Sequence, residues 1–182
     1  MERKRPRFAT ILLLLSLAVL AGCTGTSASK NPAAEDFRKE VEATARRMVP
    51  LLVEPMTRGD RGAVRQILSS ERKRVLSAPN AVLMQTVVLD PKGVVFECDI
   101  PFVCDTSRDY SRLDLVAGAL KGKAGRHGKI YTANNKEAFI VLTPISLKGE
   151  KEGLLGLVYD ADRLLRERGV TEREFLAMNF SP

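Results

Sequence analysis

Carriers of covalent or metal chemistry are few in this chain. Its 182 residues include one histidine, His127, and three cysteines, Cys23, Cys98 and Cys104, with no Cys-x-x-Cys pair. Zinc sites, c-type haem attachment and iron–sulfur clusters need thiolate and imidazole ligands at closer spacing, so no metal or other cofactor is expected. A serine nucleophile fares no better. Ser77, Ser107 and Ser111 lack a nucleophile-elbow setting, and His127 follows them in a Gly- and Lys-rich stretch that reads as exposed loop. Neither a phosphate-binding glycine loop nor a His-Glu-x-x-His pair occurs. The expectation is a protein that binds, not an enzyme.

The first thirty residues carry a different kind of covalent site. Met1 to Phe8 holds four basic side chains and one acid, and the apolar run Ala9 to Leu20 follows, as in a secretory signal. Its 12 residues at about 1.5 Å each make about 18 Å of helix against a hydrocarbon core of about 30 Å, too short for a permanent span. The run ends in Leu20-Ala21-Gly22-Cys23, which resembles the lipobox of bacterial lipoproteins. That resemblance implies cleavage before Cys23, acylation of Cys23 and the lipid bilayer as a partner. The chain is then extracytoplasmic, lipid-anchored to the cell membrane or outer membrane, and faces the periplasm or cell exterior. Disulfides persist there, so Cys98 and Cys104, six residues apart, have two readings: a bridge, or two small buried apolar side chains.

Charge points the same way. The net charge of +7 includes four bases and one acid that leave with residues 1–22, so the mature chain carries +4. With no finger, helix-turn-helix or RNA-binding pattern beside it, no nucleic-acid partner is expected. Arg46-Arg47 and Arg72-Lys73-Arg74 read as solvated helix faces.

Residues 23–32 form the lipidated cysteine and a small, polar tether, and residues 33–182 one domain. Phe37, Val41, Ala45, Met48 and Leu52 share one helical face, with Pro50 and Pro55 expected to bend or end that helix. Asp60 caps a second helix, running to about residue 77. Ala81 to Leu89 and Val94 to Ile100 read as strands joined by an Asp90-Pro-Lys-Gly93 turn, hence antiparallel. Pro101 to Asp109 reads as loop, and Ser111 to Asp114 as the cap of a short helix closing near Gly122. Three more strands are expected at 129–132, 138–147 and 154–159, the last two joined across residues 148–153. Consecutive apolar residues place those two centrally, covered on both faces. A short helix started by Asp160 or Asp162 and closed by Gly169, then a Thr171–Glu174 capping box, end the chain.

From Thr86 to Asp162 the chain resembles the Cache domains, PAS-like extracytoplasmic sensor modules of bacteria. Val87-Val-Leu-Asp-Pro-Lys-Gly-Val-Val-Phe-Glu97 looks like their first hairpin, and Ile140 to Asp162 like the strand pair that closes their sheet, with Pro144, Ile145, Gly153, Gly156, Asp160 and Asp162 as its markers. The resemblance implies an α+β fold: a five-stranded antiparallel sheet with long N-terminal helices on one face and short helices at the C-terminus. It also implies a small-molecule ligand, such as a carboxylate or amino acid, between the sheet and residues 101–120. Arg108 and Tyr110 on that loop, with Tyr131 and Lys136 at the third strand, would hydrogen-bond a carboxylate. Asp160 has two readings, an ammonium contact or a helix cap. The function implied is a ligand-binding, sensor-like lipoprotein for an anionic or zwitterionic metabolite, relaying to a membrane receptor or other envelope protein. The alternative is a structural or partner-binding envelope lipoprotein without a ligand.

Overall fold

The structure, a computed structural model, describes residues 31–100, 104–122, 124–132 and 134–180. The signal, Cys23 and the tether up to residue 30 lie outside the described residues. Helix α1 (Pro32–Thr57) starts one residue earlier than expected, because Asn31 accepts a hydrogen bond from the Ala33 amide (3.0 Å) and Pro32 fits the first helical position. Pro50 and Pro55 lie inside α1 and do not end it. Each proline costs a helix interior about 3 kcal/mol. Phe37, Val41, Met48, Leu52 and Met56 are all buried along one face, each contributing about 1.5–3 kcal/mol. The apolar face runs on past both prolines, and so does the helix. Asp60 caps α2 (Arg61–Leu76) by accepting from the Ala63 amide (2.9 Å), and Val64, Leu68 and Val75 turn inward.

The described residues form one five-stranded sheet from β1 (Leu83–Leu89), β2 (Val95–Cys98), β3 (Arg126–Tyr131), β4 (Glu137–Leu147) and β5 (Glu150–Asp160). Its order is β2-β1-β5-β4-β3, antiparallel throughout. The first hairpin has the expected turn, with Val88 opposite Glu97 and Leu89 opposite Val95. The β4–β5 hairpin is tighter than expected. Lys148 (φ 52°) and Gly149 (φ 90°) make a two-residue turn, which suits the right-handed twist of paired strands, so both strands reach it instead of stopping short at a six-residue loop. Strand β3 also begins early, which corrects the reading of His127. Its ring lies edge-on to Phe175 and Phe180 (centroids 5.5 and 5.0 Å) with Nε2 3.2 Å from the Leu176 carbonyl.

Helix α3 (Asp114–Lys121) lacks the expected Ser111 cap: the Ser111 amide is taken by Asp109 (2.8 Å) and Leu113 stands at the cap without a side-chain bond. Helices α4 (Ala161–Arg168) and α5 (Glu172–Ala177) form as expected, the first closed by Gly169 and the second opened by the Thr171–Glu174 capping box. The sheet thus has two apolar faces. One packs Val88, Phe139, Val141, Leu155 and Leu157 against the N- and C-terminal helices. The other packs Leu89, Val95, Ile140, Leu142, Leu154 and Val158 under α3.

Two turn glycines separate backbone strain from close approach. A Cβ on Gly93 (φ 88°) would meet the Ser111 backbone at 2.9 Å, whereas at Gly149 it would meet nothing within 4 Å. Gly149→Ala should cost about 1 kcal/mol of left-handed strain. Gly93→Val should cost about 1–3 kcal/mol more, through the clash. Urea denaturation compares the two, and equal losses would show that the Ser111 segment yields freely.

Candidate functional site

The segment carrying Arg108 and Tyr110 extends the sheet at its β2 edge. The Val95 amide donates to the Arg108 carbonyl and the Tyr110 amide to the Gly93 carbonyl, both at 2.9 Å, with a bridge between Val94 and Asp109. Two local constraints hold it. Cys98 and Cys104 are joined by a disulfide, Cα atoms 5.6 Å apart, which ties the end of β2 to the start of the segment. Closing so short a loop is worth about 2 kcal/mol on chain-entropy grounds. The Ser107 amide and hydroxyl both donate to Asp105 Oδ1 (3.0 and 2.6 Å), which holds that carboxyl below its usual range. Tyr110 packs on the α3 side of the sheet, and the exposed Arg108 guanidinium lies 5.6 Å from its ring centre.

Lys136 and Asp160 form a second cluster, elsewhere. Lys136 Nζ donates to Asp160 Oδ2 (2.5 Å) while Asp160 Oδ1 accepts from the Arg163 amide (3.1 Å), so the carboxylate meets an ammonium and caps α4 at once. Burial pushes the Asp160 carboxyl up, but the bonds from Lys136 and Arg163 outweigh it and the net shift is downward. Tyr131 is exposed at 60%, its hydroxyl 3.3 Å from Glu137. It pairs across from Glu137, one residue out of phase with Ile130, which faces α3, so Tyr131 belongs to the opposite side of the sheet.

The register shows that these residues do not assemble into one pocket. Arg108 joins Val95, opposite Leu89 at one end of β1, while Asp160 follows Tyr159, opposite Leu83 at the other. Six residues of strand separate those ends, about 20 Å. Arg108 and Tyr110 form one group, Lys136 and Asp160 another, and Tyr131 stands apart, because adjacency in the loop order carries no information about strand ends.

Two features lie beyond the sequence reading, and the first corrects Arg72, expected on a solvated helix face, because its guanidinium turns in to a buried carboxylate. On the α2 side, Arg65 pairs with Glu97 (2.8 Å) and Arg72 with Asp99 (3.1 Å), both carboxylates nearly fully buried; burial pushes the Asp99 carboxyl up. On the α3 side, Lys151 Nζ donates to the carbonyls of Ala119 (2.7 Å), Leu120 (2.5 Å) and Gly122 (2.5 Å). Only the fold brings the start of β5 to the end of α3.

No protein-family model and no curated protein matches this sequence. Solved structures do. The ligand-binding domain of the Campylobacter jejuni chemoreceptor Tlp3, in complex with 4-methylisoleucine, superposes with a TM-score of 0.60 at 16% identity over 76% of this chain. The E. coli DcuS sensor domain gives 0.59 at 18% over 76%. The fold is that of the PAS-like Cache sensor domains. The domain of a sensory box/GGDEF family protein from Vibrio parahaemolyticus, at 0.57 and 11%, shares it. The match spans 57% of the Tlp3 domain and 98% of the DcuS sensor domain, so this chain covers nearly all of the latter and little more than half of the former.

Asp160 supplies a test of the second cluster. Its folded pKa lies below its unfolded value of about 3.9, so the carboxylate adds stability above that pH and loses it as pH falls through the folded value. Asp160→Ala should cost about 1–2 kcal/mol at pH 7, mostly through the lost cap. In thermal melts the gap between variant and wild type should narrow below pH 4. A gap that holds constant to pH 3 would show that the charge contributes nothing.

Proposed function

We propose that this chain is an extracytoplasmic, small-molecule-binding, sensor-like domain held to a membrane by an acylated Cys23. The observation that carries the reading is the correspondence with 98% of the DcuS sensor domain, sheet and covering helices together. A Cache-type sheet with a short helix over one face and the Arg108–Tyr110 segment on its rim supports a ligand on that side. The Tlp3 domain was solved with 4-methylisoleucine and isoleucine, and the Pseudomonas fluorescens CtaA domain with L-serine. A zwitterionic or anionic metabolite is therefore the ligand class proposed here, gripped in part by the Arg108 guanidinium. The lipobox-like Leu20-Ala21-Gly22-Cys23 supports the anchor, and among the described residues no helix is long and apolar enough to cross a membrane. A membrane receptor or other envelope protein is the proposed relay.

One observation favours the alternative, a structural or partner-binding lipoprotein. Apolar side chains fill the face under α3, while shallow hollows lie elsewhere, on α5 around Leu176 and between α1 and β4 beside Phe180. A thermal-shift screen of amino acids and organic acids against residues 24–182 separates the readings. A ligand at 100 times its dissociation constant adds about 2.7 kcal/mol, or about 5–10 °C. Arg108→Ala should then weaken a carboxylate ligand by about 1.5–3 kcal/mol without lowering the melting point. No shift across the screen, with a protein partner recovered by cross-linking, would favour the alternative. For the anchor, mass spectrometry of the membrane-derived chain should find an N-terminus at a lipid-modified Cys23; an unmodified Cys23, or residues 1–22 still attached in the wild type, would overturn acylation.

A further inference from the structure

Lys151 is tied to α3 in an unusual way. Its ammonium directs three hydrogen bonds at carbonyl oxygens of the last turn of α3 and its cap. These carbonyls present the partial negative charge of a helix C-terminus in place of a full counter-ion, and burial pulls the Lys151 pKa down. Other lysines near the sheet edge are differently placed. Lys129 is held between Glu137 (2.8 Å) and Glu172 (3.0 Å), and Lys136 by Asp160. Among the described residues no carboxylate forms a salt bridge with Lys151. A second cation, Arg126, lies against Gly118 of the same helix. Helix α3 itself is lightly held: it has eight residues, no side-chain N-cap, and buries only Val116 and Ala119.

We infer that Lys151 is the carboxylate anchor of the ligand site, and that a bound carboxylate takes its ammonium from the Ala119, Leu120 and Gly122 carbonyls, freeing the C-terminal end of α3. This rests on the ligand-binding reading above and deepens it. A bond between two ionised groups is roughly twice as strong as one to a neutral partner. The released carbonyls stand at a helix terminus, where water can reach them. The exchange gives a packed apolar face a way to open, because the contact that pins α3 is the one the ligand replaces. Binding and helix displacement are then a single event, which is what a sensor domain needs in order to report occupancy.

The test uses the full chain in detergent micelles, with succinate and L-isoleucine as probes. Calorimetry of wild type, Lys151→Met and Lys151→Arg reads affinity, and carbonyl 13C shifts of Ala119, Leu120 and Gly122 read the helix end. Saturating a probe should move those three carbonyl signals together, and Lys151→Met should weaken binding about tenfold or more while Lys151→Arg retains most of it. If a probe binds wild type but the carbonyl signals stay in place, or Lys151→Met binds within twofold of wild type, the anchor role is overturned while the ligand-binding reading stands. Should Lys151→Met fail to fold, the wild-type carbonyl shifts decide alone. If neither probe nor any compound of the amino-acid and organic-acid screen binds wild type at 10 mM, on the order of the weakest useful affinities, both readings fall.

Discussion

A sheet apolar on both faces must be covered twice, and strands β4 and β5 impose that condition. They pair over ten positions, from Ala138 opposite Asp160 to Leu147 opposite Glu150, and Leu154 to Asp160 is buried at every residue. The first cover is α1, which continues through two prolines because its apolar stripe has no other place to go. Asn31 fastens its start to the α4–α5 corner, donating to the Gly169 carbonyl (3.1 Å) and the Glu174 carboxylate (2.9 Å), so the first and last helices close over the same face. The second cover is α3, far shorter, with the loop from Cys104 to Tyr110 drawn along the β2 edge. The unequal size of the two covers sets the character of the molecule: one face is fixed by long helices and the other by an eight-residue helix and a cation.

What was legible in the sequence follows the range of the interaction responsible. The Asp90–Gly93 turn, the Asp60 and Asp160 caps, Gly169 and the Thr171–Glu174 box act within a few residues, and each stands where its residue types predict. Local chemistry yields to stronger neighbours at two places: Asp109 takes the Ser111 amide, so Ser111 is not the cap, and of the two outcomes open for Pro50 and Pro55, ending α1 does not occur because burial outweighs the missing backbone bonds. His127 misled because its glycine-rich setting hides a strand whose partner, β4, supplies the order. The resemblance to Cache domains implies the five antiparallel strands and the closing hairpin, but the pairing of β1 with β5, across about seventy residues of chain, has no local signal.

The site was less legible than the fold for the same reason. Arg108 and Tyr110 were found together because they are two residues apart on an extended segment, which puts both side chains on one face. Lys136 and Asp160 met through the sheet, in a pair whose second role, the helix cap, was one of the two readings open for Asp160. Lys151 was invisible. It sits beside a two-residue turn, where a lysine is ordinarily a solubilising side chain, and only the placement of α3 over β5 turns it inward.

Electrostatics distinguish the two faces as sharply as packing does. On the α2 side each buried carboxylate has its arginine: Glu97, 1% exposed, meets Arg65, and Asp99 meets Arg72, which also donates to the Met84 carbonyl. Buried pairs of this kind add little net stability but fix which edge of the sheet α2 can dock against, because a wrong register would leave a charge bare. On the α3 side the balance is open. Lys151 and, at the rim, Arg108 and Arg126 bring positive charge to an apolar surface, while on the covering segment Asp105 accepts from Ser107 and feels the Arg108 charge, and Asp109 accepts from the Ser111 amide. An apolar floor with cations along its border suits a small molecule with a hydrocarbon body and an anionic end. The fold pairs buried carboxylates with arginines where α2 must be fixed, and leaves Lys151 on carbonyl oxygens where the proposed ligand would bring a carboxylate of its own.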